Sequence, residues 1–519
     1  MREKTSMSSI PEGIMRHRQP GTEIKKVGGK YYMQRITCKW IPETRQRKKI
    51  VVEYLGQVTE AGLQPKRHRL ASAAPAYSKE YGATWLLRQL SKDILELLRK
   101  HFADEGDWIY ACAMLRCIRA CAMTYVEHLY EVSYLSETLP GLHLSSQNIS
   151  NLMAGLGYRR KSMVAFMREF IPSDNWYAIF DGTSNVCNSQ RIHDAQRGYN
   201  SHGCHDPQLN LMYAIALQGS RLCPVFYKQY PGSVRDVSAF MNMLGEMGLK
   251  GALVITDKGF VKLSHLDKLE AMGLEYVMPL KRSSTEYSRA PLEKPGYSGF
   301  TSRFEYNGRV IWYYEQPVAE GDTHRYFLYV DETLRHLEDT AHLPKRIGKE
   351  TASEIQKAVQ AQLLHGTIVL KTNKMDFNGQ DAYQSFKTRE DVEQLFDTYK
   401  VEEDFGTTAM HGASTLEACL FLNHVSIMMA YRVYERLRDH NALSKYAVVK
   451  TLQNLLWDIR TTNANGKWEL EPIPKAARLA IESMGNPSSG SIVIHQFLGV
   501  TDDMFKSLMA DWKYSNLIN

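Results

Sequence analysis

The 519-residue chain has no uninterrupted apolar run of membrane length, and its opening, MREKTSMSSIPEG, has no apolar core of the kind that marks a secreted protein. Its most lipid-like stretch, ACLFLNHVSIMMA at 418–430, is short and carries Asn423 and His424, so it reads as a buried core helix. A soluble chain without a membrane partner, in a reducing cytoplasm, is expected. Cysteine is sparse, and none of the eight forms a C-x-x-C pair. Cys112, Cys117 and Cys121 fall in an apolar helical stretch, where free buried thiols are the ordinary outcome. The one Cys/His cluster, HGCH at 202–205, has no second ligand pair at a finger-like interval, which leaves zinc a minor reading.

Acid is scarce at the amino-terminal end. Residues 1–70 hold sixteen Lys and Arg against six Glu, a net of +10, whereas the whole chain is +7 and the remainder is therefore near −3. This asymmetry points to a basic arm for a polyanion, nucleic acid ahead of membrane surface, with a merely solvated tail as the bland alternative. GKYYMQRITCKW and KKIVVEYLGQV read as two strands joined by the basic loop IPETRQRK, with aromatics among the cations. Arg45, Arg47, Lys48 and Lys49 are the phosphate-contact residues expected from this hairpin.

From about 78 to 172 the pattern is helical, through YGATWLLRQLSKDILELLRKHF and IYACAMLRCIRACAMTYVEHLYEV to SSQNISNLMAGLG, where Ser145 or Ser146 is placed to cap a helix. A DNA-reading helix pair is one reading of this region; plain structural helices are the commoner one.

At 176 the chain switches to strands. WYAIFDGTS, LNLMYAIAL and LCPVFYKQY come in series, followed by helix (DVSAFMNMLGEMG), strand (ALVITD), helix (LSHLDKLEAMG) and strand (LEYVMPL). That order is the one expected of a ribonuclease H-like mixed sheet in an α/β protein. Asp181 is expected to close the first strand and Asp257 the fourth, with the two ends side by side. An Asp after a strand is usually just a turn residue. As a pair, with a third acid on a helix across the sheet, they would supply the hard anionic oxygens that two magnesium ions about 3.5–4 Å apart require.

Glu393 is the third acid. In FKTREDVEQLFDTYK, residues 386–400, Phe386, Arg389, Glu393 and Lys400 advance by three, four and seven residues and share one face of a helix. An acid bracketed by two cations suits a metal ligand flanked by phosphate contacts. Taken alone, the stretch reads more readily as a surface helix with an Arg389–Glu393 pair.

With its surroundings the stretch resembles the bacterial cut-and-paste DDE transposases of the insertion sequence 4 family, in particular the insertion sequence 1634-like group. Their last catalytic segment carries Tyr, Arg, Glu and Lys at these intervals, and the chain departs from it only at Phe386. Further matches are YAIFDGTS, RGYNSHGCHDPQLNLMYAIAL, PGSVRDVSAF and ITDKGF followed by LEAMGLEYVMPLKR, so the likeness spans roughly residues 30 to 440. The resemblance implies a ribonuclease H-like catalytic core with Asp181, Asp257 and Glu393 as ligands of Mg²⁺ or Mn²⁺, and Arg389 and Lys400 facing DNA phosphates. Lys281 and Arg282 are weaker DNA contacts, on charge alone.

The 136 residues from Asp257 to Glu393 exceed what a minimal core needs. SRFEYNGRVIWYYEQ reads as a hairpin turning at Asn307-Gly308, with RYFLYVDE and HGTIVLKT as further strands around a helix near 347–364. The resemblance predicts a β-rich insertion there, with Trp312 as a candidate to stack on an extruded base; hairpin core is the plainer role.

The organisation expected is a basic arm and hairpin (1–72), a helical subdomain (73–172), the first part of the core (173–281), the insertion (282–385), the rest of the core with the Glu helix (386–440), and a carboxy-terminal region suited to dimerisation (441–519). The function implied is cleavage and joining at terminal inverted repeats, by a homodimer in a paired-end complex with target DNA. A ribonuclease H-type nuclease and a domesticated DNA-binding protein are the alternatives.

Overall fold

The computed structural model describes residues 10–41, 46–65, 77–198, 206–234, 236–256, 266–342, 358–402, 412–443, 447–448, 451–464 and 467–484. Within the helix Gly379–Glu402, the side chains from 391 onward are outside that description. By contacts the chain divides into two units, one holding residues 1–77 with 464–466 and the other the rest.

The first unit is a four-stranded antiparallel sheet of β1 (Thr22–Val27), β2 (Lys30–Ile41), β3 (Gln46–Thr59) and β4 (Gly62–Pro65), in that order. The expected hairpin is its middle pair. β1 escaped notice because TEIKKV is short and charged, yet the Gly28-Gly29 turn that joins it to β2 was a readable signal: both glycines have positive φ, 55° and 77°. Ile14, Ile24, Met33 and Val58 form a small core on one face.

The second unit is built around a nine-stranded sheet. Its strands are β6 (Trp176–Val186), β7 (Gln208–Gln218), β8 (Arg221–Pro231), β9 (Ala252–Ile255), β10 (Glu275–Pro279), β11 (Ser302–Tyr306), β12 (Arg309–Glu315), β13 (Arg325–Asp331) and β14 (Thr367–Thr372). Their order is β11-β12-β13-β14-β10-β9-β6-β7-β8. β6, β7 and β8 are antiparallel neighbours, while β9 runs parallel to β6, and β10 to β9. The strands expected as an insertion are present as β11–β14. They form no layer of their own, because β14 pairs antiparallel with β10 and so prolongs the central sheet. Asn307 and Gly308 have φ of 49° and 74°, the double positive φ of a two-residue hairpin turn.

A small three-stranded sheet joins Tyr77–Glu80 (β5) to the carboxy-terminal hairpin of β15 (Arg460–Ala464) and β16 (Lys467–Leu470). The helices between residues 82 and 168 do not stand apart. Their buried side chains run into one core with the sheet and the helix Ala413–Asp439. Ser145 caps the helix Ser146–Leu156, accepting a hydrogen bond from the Asn148 amide at 3.4 Å. Ala413–Asp439 is long and apolar enough to cross a membrane, but 78% of its most apolar window is buried within the protein, as expected of a core helix.

Candidate active site

Asp181 sits in the middle of β6, opposite Tyr213 on β7, and not at the strand's end as expected. The strand runs on because Gly182 to Val186 keep their pairing with β7 as far as Gln208. On the other side β6 pairs in parallel with β9, Ile179 beside Ile255. Asp181 and Asp257 each follow their isoleucine by two residues. Asp257 itself, like Arg45 and the HGCH cluster, lies outside the described residues.

Cross-strand partners share a face of the sheet, as do residues two apart on one strand. From Asp181 the register leads to Tyr213 and then Tyr227 on β8. In the other direction it leads from Ile179 through Ile255 and Val277 to Thr372, and from Ile368 on the same strand to Tyr329 and Tyr313. All of these share one face. Phe180 points to the other, meeting Phe240 on the helix Asp236–Met247 at 4.9 Å, edge to face.

Two helices cover the Asp181 face. The helix Gly379–Glu402 lies against β6, β9, β10, β12 and β14. Its first turns are seated by Tyr383, whose ring meets those of Tyr329 at 4.9 Å, Phe304 at 5.3 Å and Tyr306 at 5.4 Å. The Tyr329 hydroxyl donates to the Gly379 carbonyl at 2.6 Å, and Ala382, Tyr383, Ser385 and Phe386 are buried. Arg389 is half-buried with its guanidinium 5.6 Å from the Phe386 ring centre. Glu393 and Lys400 belong to this helix by their backbone; their side chains lie outside the described residues.

Ala413–Asp439 covers the β7–β8 end of the same face. His424 packs 5.2 Å from Tyr227 and 6.3 Å from Tyr213, fully buried, and neither ring nitrogen has a hydrogen-bond partner among the described residues. Burial first, and the Arg160 charge second, push its pKa down to about 3, so it packs as a neutral ring. Burial also holds the Tyr431 phenol well above its usual range, with Tyr434 and then Asp181 adding to the effect. Arg160 joins the coverings of the two faces at the β8 edge. It bonds Glu417 on Ala413–Asp439 at 2.9 Å, Glu246 on Asp236–Met247 at 3.2 Å and the Tyr227 carbonyl at 2.9 Å.

The other sequence-predicted residues fall elsewhere. Arg282 forks onto Glu338 at 2.9 and 2.8 Å and donates to the Thr367 carbonyl at 2.8 Å, which commits its guanidinium to the protein; Lys281 beside it is exposed. Trp312 alternates with Tyr313 and so sits on the face away from Asp181. Its ring stacks on Tyr297 at 4.9 Å and 11°, with the Arg303 guanidinium 5.0 Å from its centre. Arg47 and Lys48 are exposed on β3, and Lys49 pairs with Glu23 at 3.0 Å. The aromatic seat around Tyr383 and the Arg160 clamp were missed from sequence. Tyr383 stands three residues before Phe386 on the same helical stripe, a signal that was there to read.

Residues 173–415 match the family model of the transposase DDE domain. That match supports a DDE transposase. The matched transposase span takes in all nine strands of the central sheet and the whole of the helix carrying Glu393. No curated protein matches the chain. Among the described residues no group of three or more His, Cys, Asp and Glu is placed to hold a metal ion; of the three acids expected in the transposase site, only Asp181 has a described side chain.

Proposed function

We propose that this DDE transposase binds the terminal inverted repeats of its element, cleaves DNA at the element's ends, and joins the freed 3′-hydroxyls to target DNA. The observation that carries this reading is the parallel pairing of Ile179 with Ile255, each two residues ahead of an aspartate, inside the matched transposase domain. In chain order from β6, the first five strands stand 3-2-1-4-5 with the last two parallel to the first, which supports a ribonuclease H-like core. Seven residues carry a helix through nearly two turns, so the spacing supports a shared helical stripe for Glu393 and the buried Phe386.

Three carboxylates make a hard, anionic donor set that fits Mg²⁺ or Mn²⁺. Asp181, Asp257 and Glu393 would hold the pair of ions, which when bound supply an activated water or 3′-hydroxyl and charge stabilisation at the leaving oxygen. Arg389 and Lys400, on the same helix, would position backbone phosphates. Arg45, Arg47, Lys48 and Lys49 would add salt-sensitive affinity for the ends. Lys281 is the freer of the two residues past β10, since Arg282 is taken by Glu338. A base stacked on Trp312 would approach from the far face. Two ends cut together call for two active sites, hence a homodimer in the paired-end complex. The motif spacing supports membership of the insertion sequence 1634-like group of the insertion sequence 4 family, and the protein would then act in the cytoplasm on chromosomal DNA.

The test is incubation of the full-length protein with labelled DNA carrying the gene's own flanking ends, a scrambled-end control, a target plasmid and Mg²⁺. Nicking and joining confined to the true ends supports the reading. Equal cutting of scrambled ends favours a general nuclease. End binding without cutting, under Mg²⁺ or Mn²⁺, favours a DNA-binding descendant.

A further inference from the structure

β2 and β3 outrun the sheet they belong to. β1 pairs with β2 only as far as Arg35, and β4 pairs with β3 only from Gly56 to Thr59. The pairs from Ile36–Val51 to Ile41–Gln46 therefore form a two-stranded ribbon that no third strand joins among the described residues. Lys39, Trp40, Arg47, Lys48, Lys49, Ile50 and Val51 are all exposed there, Trp40 at 54%.

Cations stand on both faces of this ribbon. Lys39 is directly opposite Lys48 on one, while on the other Trp40 is opposite Arg47 and Cys38 opposite Lys49. Like charges directly across a ladder repel, and among the described residues Lys39, Arg47 and Lys48 make no ion pair with a carboxylate. Nothing within the described ribbon relieves that repulsion; a polyanion would. The ribbon's width is that of two strands about 5 Å apart plus their side chains, and the major groove of duplex DNA, about 12 Å wide, admits such a ribbon. A membrane surface would engage a single amphipathic face and leave the cations of the other unused, whereas a groove presents phosphates along both walls.

We propose that the ribbon formed by residues 36–41 and 46–51 enters the major groove of duplex DNA, with the Lys39–Lys48 pair its principal electrostatic contact. The proposal rests on the transposase reading and adds to it the groove and the residues that occupy it.

The experiment is dimethyl sulfate footprinting of an end-DNA duplex bound by the full-length protein, which reports guanine N7 in the major groove and adenine N3 in the minor. The wild type is expected to protect guanine N7. The Lys39→Gln, Lys48→Gln double variant should lose that protection and bind at least about tenfold more weakly, with a salt dependence shallower by about two ions. It should melt no lower than wild type, because the opposed charges are gone, and Lys39→Arg with Lys48→Arg should restore the footprint. Guanine protection unchanged in the Gln variant, or protection confined to adenine N3, overturns the proposal. Lysine-dependent binding to phosphatidylserine vesicles without any footprint overturns it in favour of a membrane. An unchanged footprint with end cleavage intact sinks the ribbon assignment alone; a wild type that neither binds nor cuts end DNA sinks the transposase reading with it.

Discussion

Ile179 on β6 stands beside Ile255 on the parallel strand β9. Asp181 and Asp257 are the second residues past that pair. Asp181 shares its sheet face with Ile179 and with Tyr329, against which Tyr383 seats the helix of Glu393. On the proposed three-acid reading, chemistry there would depend on that seat as well as on the acids themselves.

Tyr383→Ala removes a ring in contact with three others and should cost about 3 kcal/mol or more of unfolding free energy, the range for emptying an aromatic site. The loss should appear in a urea titration, with end cleavage falling further than end binding. Tyr383→Phe keeps the ring and should hold most of both. Cleavage in Tyr383→Ala equal to wild type would separate the aromatic seat from the active site.

The outline of this arrangement was legible in the sequence. Strand, helix and strand followed one another as the apolar runs indicated, since the strands from β6 to β10 are largely buried and carry their own period. What could not be read was the partnership of distant segments. β14 closing on β10, and Tyr77–Glu80 pairing with a hairpin near residue 460, are set by tertiary contact and leave no local pattern. The end of β6 was misplaced because an Asp after an apolar run reads as a turn, while pairing with β7 holds the next five residues extended. Strand order and motif spacing are what single out Asp181 and Glu393 as candidates; the aromatics around Tyr383 look, in sequence, like any other core aromatics.

Glu80 predicts a pH dependence of stability. Its fully buried carboxylate accepts hydrogen bonds from the Ala83 amide at 2.7 Å and the Thr84 hydroxyl at 2.6 Å. Burial nevertheless pushes its pKa up to about 7 from 4.5, against the pull of those bonds and of Arg460. Between these values the folded chain holds a proton that the unfolded chain has released. Stability should therefore fall as pH rises through that window and level off above it, by about 3 kcal/mol from this group. Urea midpoints at pH 5 and pH 8 measure the fall, and Glu80→Gln should remove most of it.

Arg160 binds elements from both faces of the sheet, through Glu417 and Glu246. Arg160→Met leaves the partly buried Glu417 without its cation and Glu246 with Lys228 alone, and should destabilise the protein by about 3 kcal/mol. Arg160→Met with Glu417→Gln should recover part of that loss in a double-mutant cycle. A single variant as stable as wild type would show that the clamp contributes nothing.

The most direct measurement is cleavage of labelled end DNA with Mg²⁺ by Asp181→Asn, Asp257→Asn and Glu393→Gln, each beside wild type, with end binding measured on the same preparations. The three-acid account predicts that every variant binds the ends nearly as tightly as wild type and that none cuts. Asp181→Asn cutting at the wild-type rate would contradict it.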